Sequence, residues 1–317
     1  MILYRATIGM KWSRYQQVTQ RITVPVDQPF RFDLAVRYLQ RSPDEIIDLV
    51  RGGRHYRVVR GADGLALVEI APSSDPRSPA LSARIISGRA HPGSIAEVVN
   101  RLYQPAREMR RIEQTEPLAS LLQQHFRGLP VIQTLTPWEA LVWAIIGQQI
   151  NIAFAYRLKR AFVERFGERL NFEGNDYFAF PGPAKVAALD HEQDLLPIQF
   201  SRQKSRYVIE AARSILSGGL DFDAISSMDD EAATEALQQQ LGVGRWTAEY
   251  VLLRGFGRLD VIPAGDAALK ALVGQHLQLG RPATEAEVRE LADHWKPWRG
   301  ETAFMLWFAK QAGWFKG

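Results

Sequence analysis

Leu241-Gly242-Val243-Gly244-Arg245-Trp246-Thr247-Ala248-Glu249-Tyr250 is the stretch on which the reading of this chain turns. Apolar residues recur at three and four before it, over 229–241, and after it, over 245–254, so it joins two helices through a very short link. Gly242 and Gly244 permit positive φ in that link and leave no side chain between backbone and an approaching ligand. The second helix starts at once at Arg245, so its unpaired N–H groups and positive dipole end face a bare surface suited to a phosphate. Taken alone, Gly-x-Gly is better read as an ordinary αα-hairpin with a glycine cap.

Outward from the hairpin the helical period persists. It is visible in Leu118, Leu121, Leu122 and Phe126, in Leu141, Val142, Ile145 and Ile146, and over 152–166, 201–216, 267–273, 285–295 and 303–312. Pro181-Gly182-Pro183 and Gly218-Gly219 punctuate it, and almost no period-2 alternation is found beyond Gln104-Pro105. Before that point the pattern differs. Strands are expected at 22–26, 56–59, 65–70 and 81–86, with a hairpin turn at Gly61-Ala62-Asp63-Gly64, a short helix at 33–40 and another capped by Ser94 and running to Tyr103. The expected fold is therefore an α+β N-terminal domain over 21–104, an antiparallel sheet with helices, followed by an all-α body over 105–317 in two helical lobes with the hairpin at 241–245. Residues 1–20 show no clear period and read as a poorly ordered lead-in.

The 317 residues are 46% hydrophobic and 23% charged, which suits a globular chain with a sizeable core and excludes extensive disorder. Net charge is +4, concentrated as +5 in residues 1–100 against −1 in the remainder, so nucleic-acid binding by the C-terminal part must rest on local geometry. Cysteine is absent, which excludes disulfides, thiolate zinc sites, iron–sulfur clusters and a thiol nucleophile. The six histidines show no metal spacing, so no metal or cofactor is expected. No run of about 18 apolar residues and no signal-like apolar region occurs, so a cytoplasmic protein without membrane association is expected.

The hairpin with Leu253-Arg254-Gly255, Asp260-Val261 and Asp266 behind it resembles the helix–hairpin–helix (HhH-GPD) DNA glycosylase superfamily, most closely its 3-methyladenine DNA glycosylase II (AlkA-type) branch. Ala144-Ile145-Ile146-Gly147-Gln148-Gln149-Ile150 resembles the helix end before that family's DNA-inserting loop, and Trp295-Lys296-Pro297-Trp298-Arg299 with Trp307 resembles its C-terminal segment. The resemblance is good over about 130–315 and looser over 20–105.

It implies a role for each matching residue. Asp266, which by position alone is a helix N-cap, becomes the essential aspartate, an ionised carboxylate stabilising an oxocarbenium-like sugar. Asp260 is the rival carboxylate, better placed for a structural turn. Trp246 and Tyr250 lie at i and i+4 on one helix face, and with Trp307 they form the base pocket; Trp138, Trp143, Trp295 and Trp298 are left to the core. Leu241, Gly242, Val243, Gly244, Arg245 and Thr247 form the backbone-binding hairpin, whose carbonyls offer a place for a monovalent cation. Lys204 and Arg206 are further phosphate candidates. Gln148 and Gln149 fall on the inserting loop, Gln149 departing from the Leu of AlkA-type proteins. Members that also cut the backbone carry Lys where this chain has Trp246, so a Schiff-base route lacks its amine. The expected protein is a monomeric, monofunctional hydrolase that flips alkylated purines such as 3-methyladenine and 7-methylguanine out of duplex DNA. Its alternatives are a non-catalytic helix–hairpin–helix DNA-binding module and a glycosylase for deaminated or oxidised bases.

Overall fold

The computed structural model describes residues 21–61, 64–75, 78–104 and 115–315. The expected lead-in 1–20, and Ala62 and Asp63 of the expected turn, lie outside the described residues. The chain begins with β1 (Arg21–Pro25), α1 (Phe32–Leu39), β2 (Leu49–Arg51), β3 (Arg54–Gly61), β4 (Gly64–Pro72), β5 (Ala80–Gly88) and α2 (Pro92–Tyr103). The five strands form one antiparallel sheet in the order β1-β5-β4-β3-β2. β3 and β4 pair from His55 opposite Ile70 to Gly61 opposite Gly64. Alternation sends Ala66, Val68 and Ile70 to the face that carries α1 and α2, and Leu67 to the other. The cap of α2 is His91, not Ser94: the His91 ring accepts the Gly93 N–H, and Pro92 takes the first helical position, where its fixed φ suits it.

The body that follows contains α3 (Pro117–Phe126), α4 (Pro137–Gly147), α5 (Ile152–Phe166), α6 (Pro183–Ala187), α7 (Arg202–Leu216), α8 (Phe222–Ser226), α9 (Asp230–Gln238), α10 (Arg245–Gly255), α11 (Ala267–His276), α12 (Glu285–Ala292) and α13 (Arg299–Gln311). One correction to an all-helical body is the hairpin of β6 (Glu168–Phe172) and β7 (Asn175–Ala179). Glu173 and Gly174 both take positive φ, as a two-residue hairpin link requires. Five-residue strands carry too little alternation to stand out beside a fifteen-residue helix. Tyr177 and Ala179 pack on Val58 and Leu67, so this hairpin covers the outer face of the N-terminal sheet.

Two main cores result. One joins the inner face of the sheet, α1 and α2 to α3, α11, α12 and α13; the other is built from α4, α5, α7, α9 and α10. Packing thus crosses the expected boundary at 104/105. Ion pairs tie the same halves together: Lys159 donates to both oxygens of Glu45, and Arg57 to Asp48 and Glu139. Burial pushes the Asp48 carboxyl up, but Arg57 and His55 more than reverse this and leave it well below the usual carboxylate range. Among the described residues no helix is long and apolar enough to cross a membrane.

Candidate active site

The site is organised by the crossing of α4 and α10. A side chain at Gly255 would place its Cβ 2.9 Å from the Ala140 Cβ and 3.0 Å from the Pro137 Cα, so glycine is what allows this approach. The opposite ends of the two helices consequently meet. Gln148, the C-cap of α4, donates from Nε2 to the Gly242 carbonyl at 3.0 Å and to the Thr247 hydroxyl at 3.1 Å. Gln148 and Thr247 therefore brace the hairpin from within. Gln149 is exposed and sits at φ 56°, in the left-handed region a non-glycine residue seldom occupies. Of the two expected loop residues, only Gln149 projects freely.

In the hairpin the glycines do different work. Gly242 has φ 81°, and a Cβ there would fall 2.2 Å from the Tyr207 ring. Gly244 has extended backbone and nothing within 4 Å of a virtual Cβ, so no neighbour in the chain demands a glycine there. It is the N-cap of α10 and supplies no side-chain cap. Val243 is buried and Leu241 exposed, so the link is pinned by one residue and presents the other with bare backbone. The Gly242 carbonyl, one of those a monovalent cation would use, already accepts the Gln148 amide.

Two of the three basic candidates are engaged within the protein. Arg245 grips Glu231 with both Nη atoms and Glu249 with Nε, locking α9 to α10. Lys204 donates to the Ile146 carbonyl at 2.7 Å, and burial lowers its ammonium from the ordinary lysine value. Arg206 is exposed. Asp260 is held by Arg299 through both oxygens, at 3.0 and 2.9 Å, which fixes the loop before α11 to the start of α13 and leaves Asp260 a structural anchor.

Asp266 is held differently. It caps α11, and its Oδ1 accepts the Ala268 N–H at 2.9 Å, the Leu269 N–H at 2.9 Å and the Trp307 indole N–H at 3.1 Å. Its Oδ2 accepts no hydrogen bond among the described residues, and the residue is only partly buried. One oxygen fixes the carboxylate and the other stays available. Trp307 belongs to the row of rings expected from the sequence. Trp246 and Tyr250 have centroids 5.9 Å apart at 40°, and Tyr250 and Trp307 lie 5.9 Å apart at 41°. The structure thus brings Trp246, Tyr250, Trp307 and Asp266 into one continuous arrangement from α10, α13 and the cap of α11. Of the tryptophans left to the core, Trp138, Trp143 and Trp295 are buried, but Trp298 is only partly buried, packed on the core from its edge beside the start of α13.

Tyr38 and Arg254 were not assigned by sequence reading and belong beside this row. Arg254 is buried, donates to the Tyr38 and Tyr250 hydroxyls at 2.8 and 3.2 Å, and donates to the Ile132 carbonyl. Burial raises the Tyr250 hydroxyl above its ordinary value, so it stays protonated. Arg254 stands four residues after Tyr250 in the quoted motif, a spacing that signals the contact, whereas Tyr38 lies 216 positions from Arg254 and gives no such signal. Among the described residues no group of three His, Asp or Glu is placed to hold a metal.

A family model described as HhH-GPD superfamily base excision DNA repair protein matches residues 142–297. The chain is 36% identical over 192 residues to a DNA-3-methyladenine glycosylase of Bacillus subtilis, an alignment covering 61% of this chain and 63% of that relative, which is under two thirds of its length. It is 31% identical to the alkylbase DNA glycosidase-like protein mag2 of Schizosaccharomyces pombe, covering 54% of this chain and 76% of that one. In fold it is similar to the 3-methyladenine DNA glycosylase of Archaeoglobus fulgidus, with a TM-score of 0.78, 22% identity, and coverage of 94% of this chain and 100% of that one.

Proposed function

The chain belongs to the HhH-GPD superfamily of base excision DNA repair proteins, in its AlkA-type branch, and from that premise we propose that it is a monofunctional DNA N-glycosylase acting on alkylated purines in duplex DNA. The observation that carries this reading is the divided use of Asp266: one oxygen is spent on α11 and Trp307, the other is open beside the row of rings.

Extruding a nucleotide costs a few kcal/mol, and stacking on aromatic rings returns about 1–3 kcal/mol per base. Trp246, Tyr250 and Trp307 supply that surface, and their π-faces favour a base carrying positive charge. As the C1′–N bond breaks, positive charge builds on the sugar, and the fixed Asp266 carboxylate stabilises it with little reorganisation. Water then adds its oxygen to C1′ and releases one proton, while the purine leaves with the bond's electron pair; an alkylated, cationic purine leaves as a neutral base. Position 246 holds Trp where a lyase would need Lys, so no imine to the sugar forms and the product is an intact strand with an abasic site. Gly242 and Gly244 present the backbone at the start of α10 to a phosphate, and Gln149 enters the space the base has left.

The test is incubation with methylated duplex DNA, with the freed bases separated by chromatography and the strand sized before and after alkali. Release of 3-methyladenine or 7-methylguanine, with cleavage only after alkali, is expected. Lesion-indifferent binding without release would instead mark a non-catalytic DNA-binding module. Release confined to deaminated or oxidised bases would move the substrate class.

A further inference from the structure

Arg41 lies just beyond α1, outside the residues assigned to the proposed reaction. A cleft is lined by Tyr38, Arg41, Tyr156 and Arg254 and by the carboxylates Glu45 and Asp48, among others, both of which are paired with other cations. The guanidinium of Arg41 lies 4.2 Å from the Tyr38 ring centroid and 5.4 Å from that of Tyr156. Its Nε donates to the Tyr156 hydroxyl and its Nη1 to the Tyr38 hydroxyl. Among the described residues it has no carboxylate partner, and its Nη2 makes no hydrogen bond. Two other basic groups near this cleft contrast with it. Lys159 is neutralised by Glu45, and Arg57, close by, by Asp48 and Glu139. Arg254, like Arg41, has no carboxylate partner among the described residues and no hydrogen bond on Nη2. It is buried, however, with Nε and Nη1 held by a carbonyl and two phenols, whereas Arg41 is only partly buried.

A charge withdrawn from bulk water without a counter-ion is costly unless a ligand completes its bonding. The cleft adjoins the row of rings on two sides. Arg254 links Tyr38 to Tyr250, and Phe304 stands between Tyr38, at 4.5 Å, and Trp307, at 6.5 Å. In the proposed complex, a base stacked on Tyr250 and Trp307 with its sugar at Asp266 would turn its far edge toward the Tyr250 hydroxyl, which Arg254 joins to this wall. We propose that Arg41 is a specificity-determining residue that donates a hydrogen bond to the exocyclic carbonyl oxygen of a 6-keto purine. The enzyme then favours 7-methylguanine and hypoxanthine, whose position 6 carries an acceptor, over 3-methyladenine, whose position 6 carries an amino donor facing a cation. This rests on the glycosylase reading and narrows its substrate class.

The experiment uses one methylated duplex as the source of both 7-methylguanine and 3-methyladenine, so binding and helix opening are common to the two, and a second duplex with a single hypoxanthine. Wild type, Arg41→Met and Arg41→Lys are compared at matched concentration, with melting temperature as the check on folding. Arg41→Met is expected to lower release of 7-methylguanine and hypoxanthine about 10- to 100-fold, the usual range for losing a charge-assisted bond, while 3-methyladenine release holds or rises. Arg41→Lys keeps the cation and is expected to retain part of the keto preference. Equal falls for all three bases, or no change in the ratio, overturns the role of Arg41 and leaves the glycosylase reading intact. A well-folded Lys variant with no keto preference does the same. Wild type that releases no modified purine overturns both.

Discussion

Asp266→Asn separates the two jobs of this residue. Asparagine is as good an N-cap as aspartate, and its Oδ1 can go on accepting the Ala268 and Leu269 N–H groups and the Trp307 indole N–H. Stability should therefore change by less than about 0.5 kcal/mol, and the melting temperature by about 2 °C or less. What is lost is the negative charge. A unit charge about 4 Å from a developing sugar cation, at an effective dielectric constant of about 20, contributes about 4 kcal/mol, or roughly a thousandfold in rate. The assay is single-turnover release of a modified purine with enzyme in excess over duplex, run beside a thermal melt of the same preparation. Asp266→Ala is the companion, since it removes charge and cap together and should lose about 1 kcal/mol of stability as well. An Asn variant that folds normally and releases base within about tenfold of wild type would refute the electrostatic role.

Trp307→Phe keeps a ring at that position but removes the N–H donated to Asp266, and base release is expected to fall about 10- to 100-fold with the fold intact, measured in the same assay. Gly242→Ala and Gly244→Ala should part company. The first puts a Cβ 2.2 Å from the Tyr207 ring at positive φ and should destabilise by more than about 1 kcal/mol in a denaturant melt. The second should fold normally yet weaken duplex binding in a fluorescence titration, because the methyl projects into open space where backbone meets ligand. Glu287, drawn down to about 2 by Arg281 and the Thr284 N–H, has its folded value below its unfolded one. Its contribution is therefore complete above about pH 4.5 and fades as the pH falls toward 2. Glu287→Gln should accordingly flatten the melting temperature against pH in that window, and an unchanged slope would count against the cap.

Much of what depends on neighbours along the chain was legible in the sequence, although it put the cap of α2 at Ser94 and hid the short hairpin of β6 and β7. Trp246 and Tyr250 share a helix face because helical spacing requires it, Asp266 caps α11 because it precedes a helical run, and the two glycines mark a link too short for anything but a hairpin. Gly-x-Gly and an N-cap are common in helical proteins, so these features acquired meaning only together, through the resemblance they carry. The tertiary structure decided which side chains remain free once packing is complete. Gln148 and Gln149 are adjacent amides, yet one braces the hairpin and the other is exposed; Arg245 and Arg206 are both basic, yet one is consumed by two glutamates. The same holds for Asp260, neutralised by Arg299, against Asp266 with one oxygen open. Partners such as Tyr38 and Arg254 are 216 positions apart, and no local pattern encodes such a pairing, because it is set by how helices distant in the chain meet where the two cores adjoin.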